Sequence, residues 1–257
     1  MNARFRPATS EPTLTTFTVF RYASSARLWA LQQMALAPRQ LTRVPGLTFF
    51  KLMGSGQGKV FSIRPDWSRY ALLATWRSSN DADCFFNYST VLEAFRHKAQ
   101  EIWTMRMYPI QSQGLWSGTN PFHALPLVMP VEAPVAIVTR ASIRLGALRQ
   151  FWQYAPQSAG SLDEAEGLIF SIGVGELPFV RQATLSVWKN LAAMKTFAYQ
   201  TPAHREAMQQ KVKQNWYWEE LFARFVLAGS QGTYLGKDPL QGLRLFHPTV
   251  GLPTNNS

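Results

Sequence analysis

The chain has 257 residues, 46% of them hydrophobic, and a formal net charge of +11; this excludes bulk disorder and leaves room for one large core or two cores of ~100 residues each. Its one cysteine, Cys84, excludes an intrachain disulfide and a thiolate-held zinc or iron–sulfur centre, and with no apolar run of the ~18 residues that cross a bilayer and no leader core between Met1 and Thr13 the expected location is cytoplasmic. The basic residues are scattered and carry no nucleic-acid-binding signature, so the charge points away from nucleic acid and toward an acidic protein partner or an anionic membrane face, where peripheral contact is expected.

Residues 1–12 read as a polar tail. From Leu14 to Arg21 the side chains alternate as on a strand. Ser25 caps a helix running to about Leu36, with Leu28, Leu31 and Ala35 at helical spacing and Pro38 as its stop. Strands are expected at Leu47–Met53 and Tyr70–Trp76, followed by a helix carrying Val91, Leu92, Phe95 and Ala99 and a strand through Trp103, Met105 and Met107. Cys84, between Asp83 and Phe85, falls in an irregular acidic connector. Pro121, Pro126, Pro130 and Pro134 forbid a regular helix, and residues 126–134 read as a linker. The same order then returns. Val135–Ile143 is a strand, Leu148, Phe151 and Trp152 lie on a helix that Pro156 stops, and Leu168–Val174 and Ala183–Trp188 are strands. Leu191–Tyr199 and Pro202 to about Asn215 are helical, Leu221–Leu227 is the last strand, and residues 241–257 form a tail.

Two β-α-β-β-α-β series predict an α+β fold of two tandem ferredoxin-like repeats, residues 13–125 and 135–240, with antiparallel sheets packed face to face. Trp76, Trp103, Met105 and Phe222 are expected at that seam. The repeat is legible in the letters themselves. Gln113, Gly114, Trp116, Gly118, Asn120 and Pro121 reappear at a constant offset as Gln231, Gly232, Tyr234, Gly236, Asp238 and Pro239, and Glu101 and Arg106 reappear as Glu219 and Arg224. Upstream, Ala74-Thr75-Trp76 corresponds to Ser186-Val187-Trp188 at a shorter offset, so the second half carries extra residues between these landmarks. Thr201-Pro202-Ala203-His204 lies in that stretch, and Phe86 stands where the shared offset would put a second histidine.

Thr201 suits a helix N-cap and Pro202 the first helical position, which puts His204 in a first turn where the positive helix end keeps imidazole neutral. A neutral imidazole binds iron or acts as a base, although position alone favours an exposed first-turn histidine. Arg205, Lys211, Lys213 and Arg181 are near it in sequence and have the charge to neutralise the carboxylates of a haem; such residues are more often a solvated face. Met208, one turn on, reads as packing. The pairs Gly54/Gly56 and Gly173/Gly175 follow strands without opening a nucleotide-binding turn, so a bulge or a close backbone approach is the reading. Arg106 and Arg224, mid-strand, need an anion or a partner such as Glu101 or Glu219. His97, His123 and His247 have no hydrolase-like neighbours, and Cys84 lacks the N–H-rich setting of a haem thiolate.

Several stretches together resemble the spheroidene monooxygenase family of carotenoid biosynthesis. They are Phe50-Lys51-Leu52-Met53-Gly54-Ser55-Gly56, Tyr70 to Trp76, Trp116-Ser117-Gly118 before Pro121-Phe122, and Thr139-Arg140-Ala141-Ser142-Ile143-Arg144. Phe170 with Ile172-Gly173-Val174-Gly175-Glu176, His204, and Glu219 to Phe225 complete the set, which spans residues 14–240. The chain departs from the family pattern at Ser171, where a lysine is expected, and beyond residue 240. The resemblance implies a haem-dependent monooxygenase that uses O2 and reduced ferredoxin. It would hydroxylate C-2 of an acyclic carotenoid twice, and the geminal diol would lose water to leave a ketone. On that reading His204 is the iron ligand and Arg205 and Arg181 are carboxylate partners. Two alternatives keep the fold: a cofactor-independent monooxygenase, and a non-catalytic haem or lipid carrier.

Overall fold

The computed structural model describes residues 12–58, 62, 64–126, 130–163, 165–200 and 214–246. Its first half runs β1 (Leu14–Tyr22), α1 (Arg27–Leu41), β2 (Leu47–Gly56), β3 (Pro65–Trp76), α2 (Ser79–Tyr88), α3 (Thr90–Lys98) and β4 (Ala99–Gly114). The second runs β5 (Val135–Ile143), α4 (Leu148–Asp163), β6 (Leu168–Leu177), β7 (Arg181–Trp188), α5 (Leu191–Gln200) and β8 (Tyr217–Gly232). The fold is α+β, as the sequence predicts, but the sheets do not meet face to face. All strands join one closed antiparallel barrel in the order β1-β3-β2-β6-β7-β5-β8-β4.

The halves meet edge to edge at two seams. The long seam pairs β4 with β8 from Trp103↔Gly232 to Gly114↔Leu221. The short one pairs Gly54 with Gly175 and Ser55 with Val174, and each strand is bulged against its own hairpin partner there. The glycine pairs therefore sit where bulges bend the two edges into closure, a bulge reading carried through to its geometric purpose.

Alternation along each strand decides what fills the barrel. Phe17, Val19, Trp103, Met105, Phe170, Leu185 and Phe225 point inward and form one cluster with Trp116 and Phe122. Trp103 and Met105, expected at a seam between two sheets, instead fill the interior of the single barrel. Trp76 and Phe222 take the opposite parity and pack under the helices instead.

Two helices outlast their expected stops. α1 continues through Pro38 because Ala37 and Leu41 are buried and hold its last turn, and α4 continues through Pro156 to Asp163. Tertiary burial here outweighs the hydrogen bond that proline forfeits. The connector holding Cys84 is helix α2, begun by Ser78, whose hydroxyl accepts from the Asp81 N–H at 3.1 Å. Cys84 is exposed on it.

The repeated Gln-Gly turns interlock the halves. Ser117 and Gly118 both have positive φ, as do Leu235 and Gly236, the geometry of a tight hairpin turn. The Ser117 and Gly118 N–H groups donate to Glu219 at 2.9 and 2.7 Å, and those of Leu235 and Gly236 donate to Glu101 at 3.2 and 2.6 Å. Each half thereby holds the other half's turn. Gly232 has φ +86°, and a β carbon there would fall on the Ile102 carbonyl oxygen. Gly232→Ala is accordingly expected to destabilise the barrel by about 2 kcal/mol or more, measured by urea unfolding, from left-handed strain of order 1–3 kcal/mol plus the collision.

Candidate functional site

Strand register gives residue-by-residue equivalence between the halves, because Leu14↔Trp76 and Val135↔Trp188 begin the same hairpin pairing. On the helix-facing side, Phe20 of β1 is replaced by Ala141 of β5, and Tyr70 and Leu72 of β3 by Gln182 and Thr184 of β7. Phe50 and Leu52 of β2 are replaced by Ser171 and Gly173 of β6. All five exchanges shrink the side chain, and two of them, at Thr184 and Ser171, add a polar group. In the first half this face is one continuous cluster containing Phe20, Tyr70, Leu72 and Leu52. In the second, the described residues form two smaller clusters, one around Ile137, Trp188 and Met194 and one around Ile143, Phe151 and Trp216.

The stretch of sheet between those clusters, as drawn by the described residues, is the candidate site. It is open at Thr139, which is exposed in mid-strand on β5, whereas its counterpart Thr18 is 1% exposed and bonded to Thr104. Thr184, Phe222 and Arg224 beside it are half-buried. Phe222 is larger than its counterpart Thr104 and closes the β8 side. The floor is thus small and polar, and its ends are aromatic and aliphatic.

Arg224 is the distinctive group in this recess. Its counterpart Arg106 is ion-paired with Asp83 and lies over the Phe86 ring at 5.7 Å, both from α2. Arg224 has no carboxylate partner among the described residues, and its Nε is buried without a hydrogen-bond acceptor. Burial pulls its pKa below the ordinary arginine value, with Tyr199 of α5 acting in the opposite direction. A half-buried cation without an anion marks a place where an anionic group is stabilised. Neither arginine pairs with Glu101 or Glu219, which are taken by Arg21 and Arg140.

The second cluster of charge lies at the barrel mouth. Arg140, 3% exposed, pairs with Glu219 and approaches Glu176 at 3.7 Å. Lys51 reaches Glu176 at 2.8 Å, and the Trp116 indole N–H donates to the same carboxylate at 2.6 Å. Burial pushes the Glu219 carboxyl up, but the Gly118 and Ser117 N–H groups and the Arg140 guanidinium outweigh it and hold the pKa below the usual range. Every carboxylate in this network has its own cation, and Glu219 performs the same turn-holding task as Glu101. The network is structural.

Of the residues singled out in the sequence, Arg181 begins β7, exposed, opposite Ser142 and Leu177. It shares the parity of the barrel-facing Ala183 and Leu185, while Gln182 and Thr184 face the recess. His204, Arg205, Met208, Lys211 and Lys213 lie outside the described residues. His204 follows the end of α5 by four residues, a tether of at most about 14 Å, and α5 also carries Tyr199 beside Arg224. His97 and His123 are exposed, remote in the fold from the recess, and His247 is outside the described residues. Sequence reasoning passed over Thr184 and Gln182, named Thr139 only within a family stretch, and left Arg224 between an anion and a glutamate partner.

No family model matches the chain. Among solved structures, an aldoxime dehydratase superposes with a TM-score of 0.56 over 95% of both chains at 9% identity. The aldoxime dehydratase OxdRE, solved with butyraldoxime, gives 0.53 over 84% of this chain and 79% of that one, also at 9% identity. The molecule therefore belongs to the α+β barrels with helices packed outside a closed antiparallel sheet. Its curated relatives are more specific. The spheroidene monooxygenase of Rhodobacter capsulatus is 34% identical over 234 residues, 90% of this chain and 97% of that protein. Those of Cereibacter sphaeroides and Rubrivivax gelatinosus are 33% and 34% identical over 88% and 84% of this chain and 70% and 82% of their own. The chain belongs to the spheroidene monooxygenase family, and it is a monooxygenase.

Proposed function

We propose that the protein is a haem-dependent carotenoid monooxygenase built from two copies of one ferredoxin-like unit, the second of which is hollowed to take the cofactor. The observation that carries this reading is the loss of side-chain bulk on the helix-facing sheet of the second half, in a chain of this family. The residues present fit the group. A porphyrin needs a flat slot with apolar ends, a cation for its carboxylates and an axial donor. The small floor of Ser171, Gly173 and Thr184 supplies the slot, Arg224 supplies a cation that has no carboxylate partner among the described residues, and His204 is taken as the donor, as the sequence resemblance implies. Arg205 remains a proposed further cation for the carboxylates, whereas Arg181, on the barrel-facing parity of β7, is not assigned to the slot.

Haem, when bound, supplies the redox chemistry with O2. This chain's own side chains bind and orient. Phe222 and the two flanking clusters exclude water, and an acyclic carotenoid lies along the apolar ends with its C-2 methylene presented to the slot. Each hydroxylation takes one oxygen atom from O2 and two electrons from reduced ferredoxin, the second oxygen leaving as water. The geminal diol formed by two rounds loses water to give the ketone.

The test is spectroscopic. Wild-type protein titrated with haem should give a Soret band, and His204→Ala should shift that band and lower affinity on the order of tenfold or more, the loss of one axial bond. An unchanged spectrum in His204→Ala removes that residue as ligand. Turnover by metal-free protein without ferredoxin would favour the cofactor-independent alternative, and tight haem binding without oxygen consumption the carrier.

A further inference from the structure

One end of the barrel carries exposed apolar residues among cations. β5 ends there at Ile143, the β6–β7 hairpin turns, and β8 begins. The Ile143 N–H donates to Val180 O and the Arg144 N–H to Trp216 O, both at 2.8 Å. The hairpin tip lies between Leu177 and Arg181, which oppose each other in register. At the tip Phe179 has φ +67°, a left-handed conformation that disfavours any β carbon and a bulky aromatic most of all. Its ring is 48% exposed, and Leu177 and Leu145 beside it are 47% and 76% exposed. A fold that pays strain to present a phenylalanine to solvent has put that ring to use.

Behind the tip stands a belt of amphipathic aromatics. The Trp152 indole donates to Phe179 O at 3.2 Å with its ring edge-on at 6.2 Å. Phe151 links Trp152 to Tyr217 at 5.2 and 6.1 Å, and Trp218, next on β8, is 62% exposed. The charges around the tip are basic. Arg144, Arg149 and Arg181 are exposed, Arg144 being held by the Tyr217 carbonyl at 3.2 Å. Of the carboxylates at this end, Glu219 and Glu176 are paired with Arg140 and Lys51, and Glu220 lies on β8 with its side chain exposed.

We infer that this end docks onto an anionic lipid bilayer. Phe179, Leu177 and Leu145 enter the boundary between headgroups and acyl chains, the tryptophans and tyrosine sit at headgroup level, and the arginines meet lipid phosphates. A narrow convex hairpin with apolar apex and cationic flanks complements a deformable anionic surface, whereas a protein partner of ordinary size asks for a broad flat patch. The recess begins at Ala141, one pleat from Ile143 on β5, so an apolar substrate leaving the bilayer at the tip reaches it past aromatic side chains. The docking itself needs neither cofactor nor substrate.

The experiment uses the full chain and carotenoid-free vesicles, so its outcome is separate from that of the haem reading. Co-sedimentation with vesicles one-third phosphatidylglycerol in phosphatidylcholine is expected to exceed that with pure phosphatidylcholine at least tenfold and to fall with salt. Phe179→Asn, which suits left-handed backbone, and Leu145→Ser should each weaken it and together abolish it, with far-UV circular dichroism and melting unchanged. Arg149→Glu should weaken binding to the anionic vesicles. Lipids brominated near the headgroup should quench tryptophan emission in the wild type and not in the double variant. Absence of binding to anionic vesicles overturns the inference. So does full binding by the double variant, or a tip-dependent dimer in sedimentation velocity without vesicle binding.

Discussion

Glu219→Ala is expected to cost about 3–5 kcal/mol of stability, read as a lower urea midpoint, the range found when one partner of a buried ion pair is removed. The side chains of Arg140 and Glu219 are 1% and 11% exposed, so water cannot replace the lost carboxylate. Arg140 keeps only the longer approach to Glu176 at 3.7 Å, and the Ser117 and Gly118 N–H groups lose their acceptor. Glu101→Ala makes the same change in the other half, where Arg21 is 32% exposed, and should cost under about 2 kcal/mol. Glu219→Gln, which still accepts from the turn, should fall between. Equal losses for the two alanine variants would mean that burial of Arg140 does not set the cost.

The same carboxylates give the barrel an acid limb. Burial raises both, but turn N–H groups and guanidinium partners outweigh it and depress both folded pKa values below the unfolded reference of 4.5. A depressed carboxylate contributes stability that is fully present above its unfolded pKa and is lost as pH falls through the folded one. Stability should therefore decline below about pH 4.5, and the decline should be shallower in Glu219→Gln.

Strand positions were legible because period-two alternation is local, and Val135–Ile143 begins and ends as read from the sequence. The shared turn motif was legible because hairpin turns that lock onto Glu101 and Glu219 demand the same glycines twice. Closure into one barrel was not, since it depends on two-residue pairing at Gly54↔Gly175, a contact that leaves no hydrophobic signature. α2 was missed although Ser78 and Asp81 form a helix start, because its short run lies between two stronger apolar segments.

The recess was hidden for a related reason. The offset joining Leu72 to Thr184 differs from that joining Leu52 to Gly173, because the connections between strands differ in length. Only sheet register lines up both exchanges. A shared offset set His204 against Phe86 and drew attention to a gained residue. The larger difference between the halves is in residues made smaller, and small residues read as unremarkable in a single sequence.

Restoring the first half's bulk to the second should abolish cofactor binding while leaving the barrel folded. Leu52 and Leu72 oppose each other across β2 and β3, and Gly173 and Thr184 do so across β6 and β7. The double variant Gly173→Leu with Thr184→Leu is thus a pairing that this strand geometry already accommodates. Two leucine side chains across the floor occupy the slot, and a rigid porphyrin has no alternative pose, so haem affinity should drop about a hundredfold or more, the effect of a clash of about 3 kcal/mol. Haem titration followed at the Soret band measures this, and far-UV circular dichroism of the cofactor-free protein checks the fold. Arg224→Met provides an independent arm. Removing a half-buried cation that has no carboxylate partner among the described residues should leave the cofactor-free protein as stable or more so, while lowering haem affinity about tenfold, the worth of one charge-assisted bond. Wild-type protein titrated with haem dimethyl ester should show the same loss, and Arg224→Met should not distinguish ester from acid. Normal haem binding by the leucine pair would place the cofactor elsewhere on the barrel, whatever the Arg224 result.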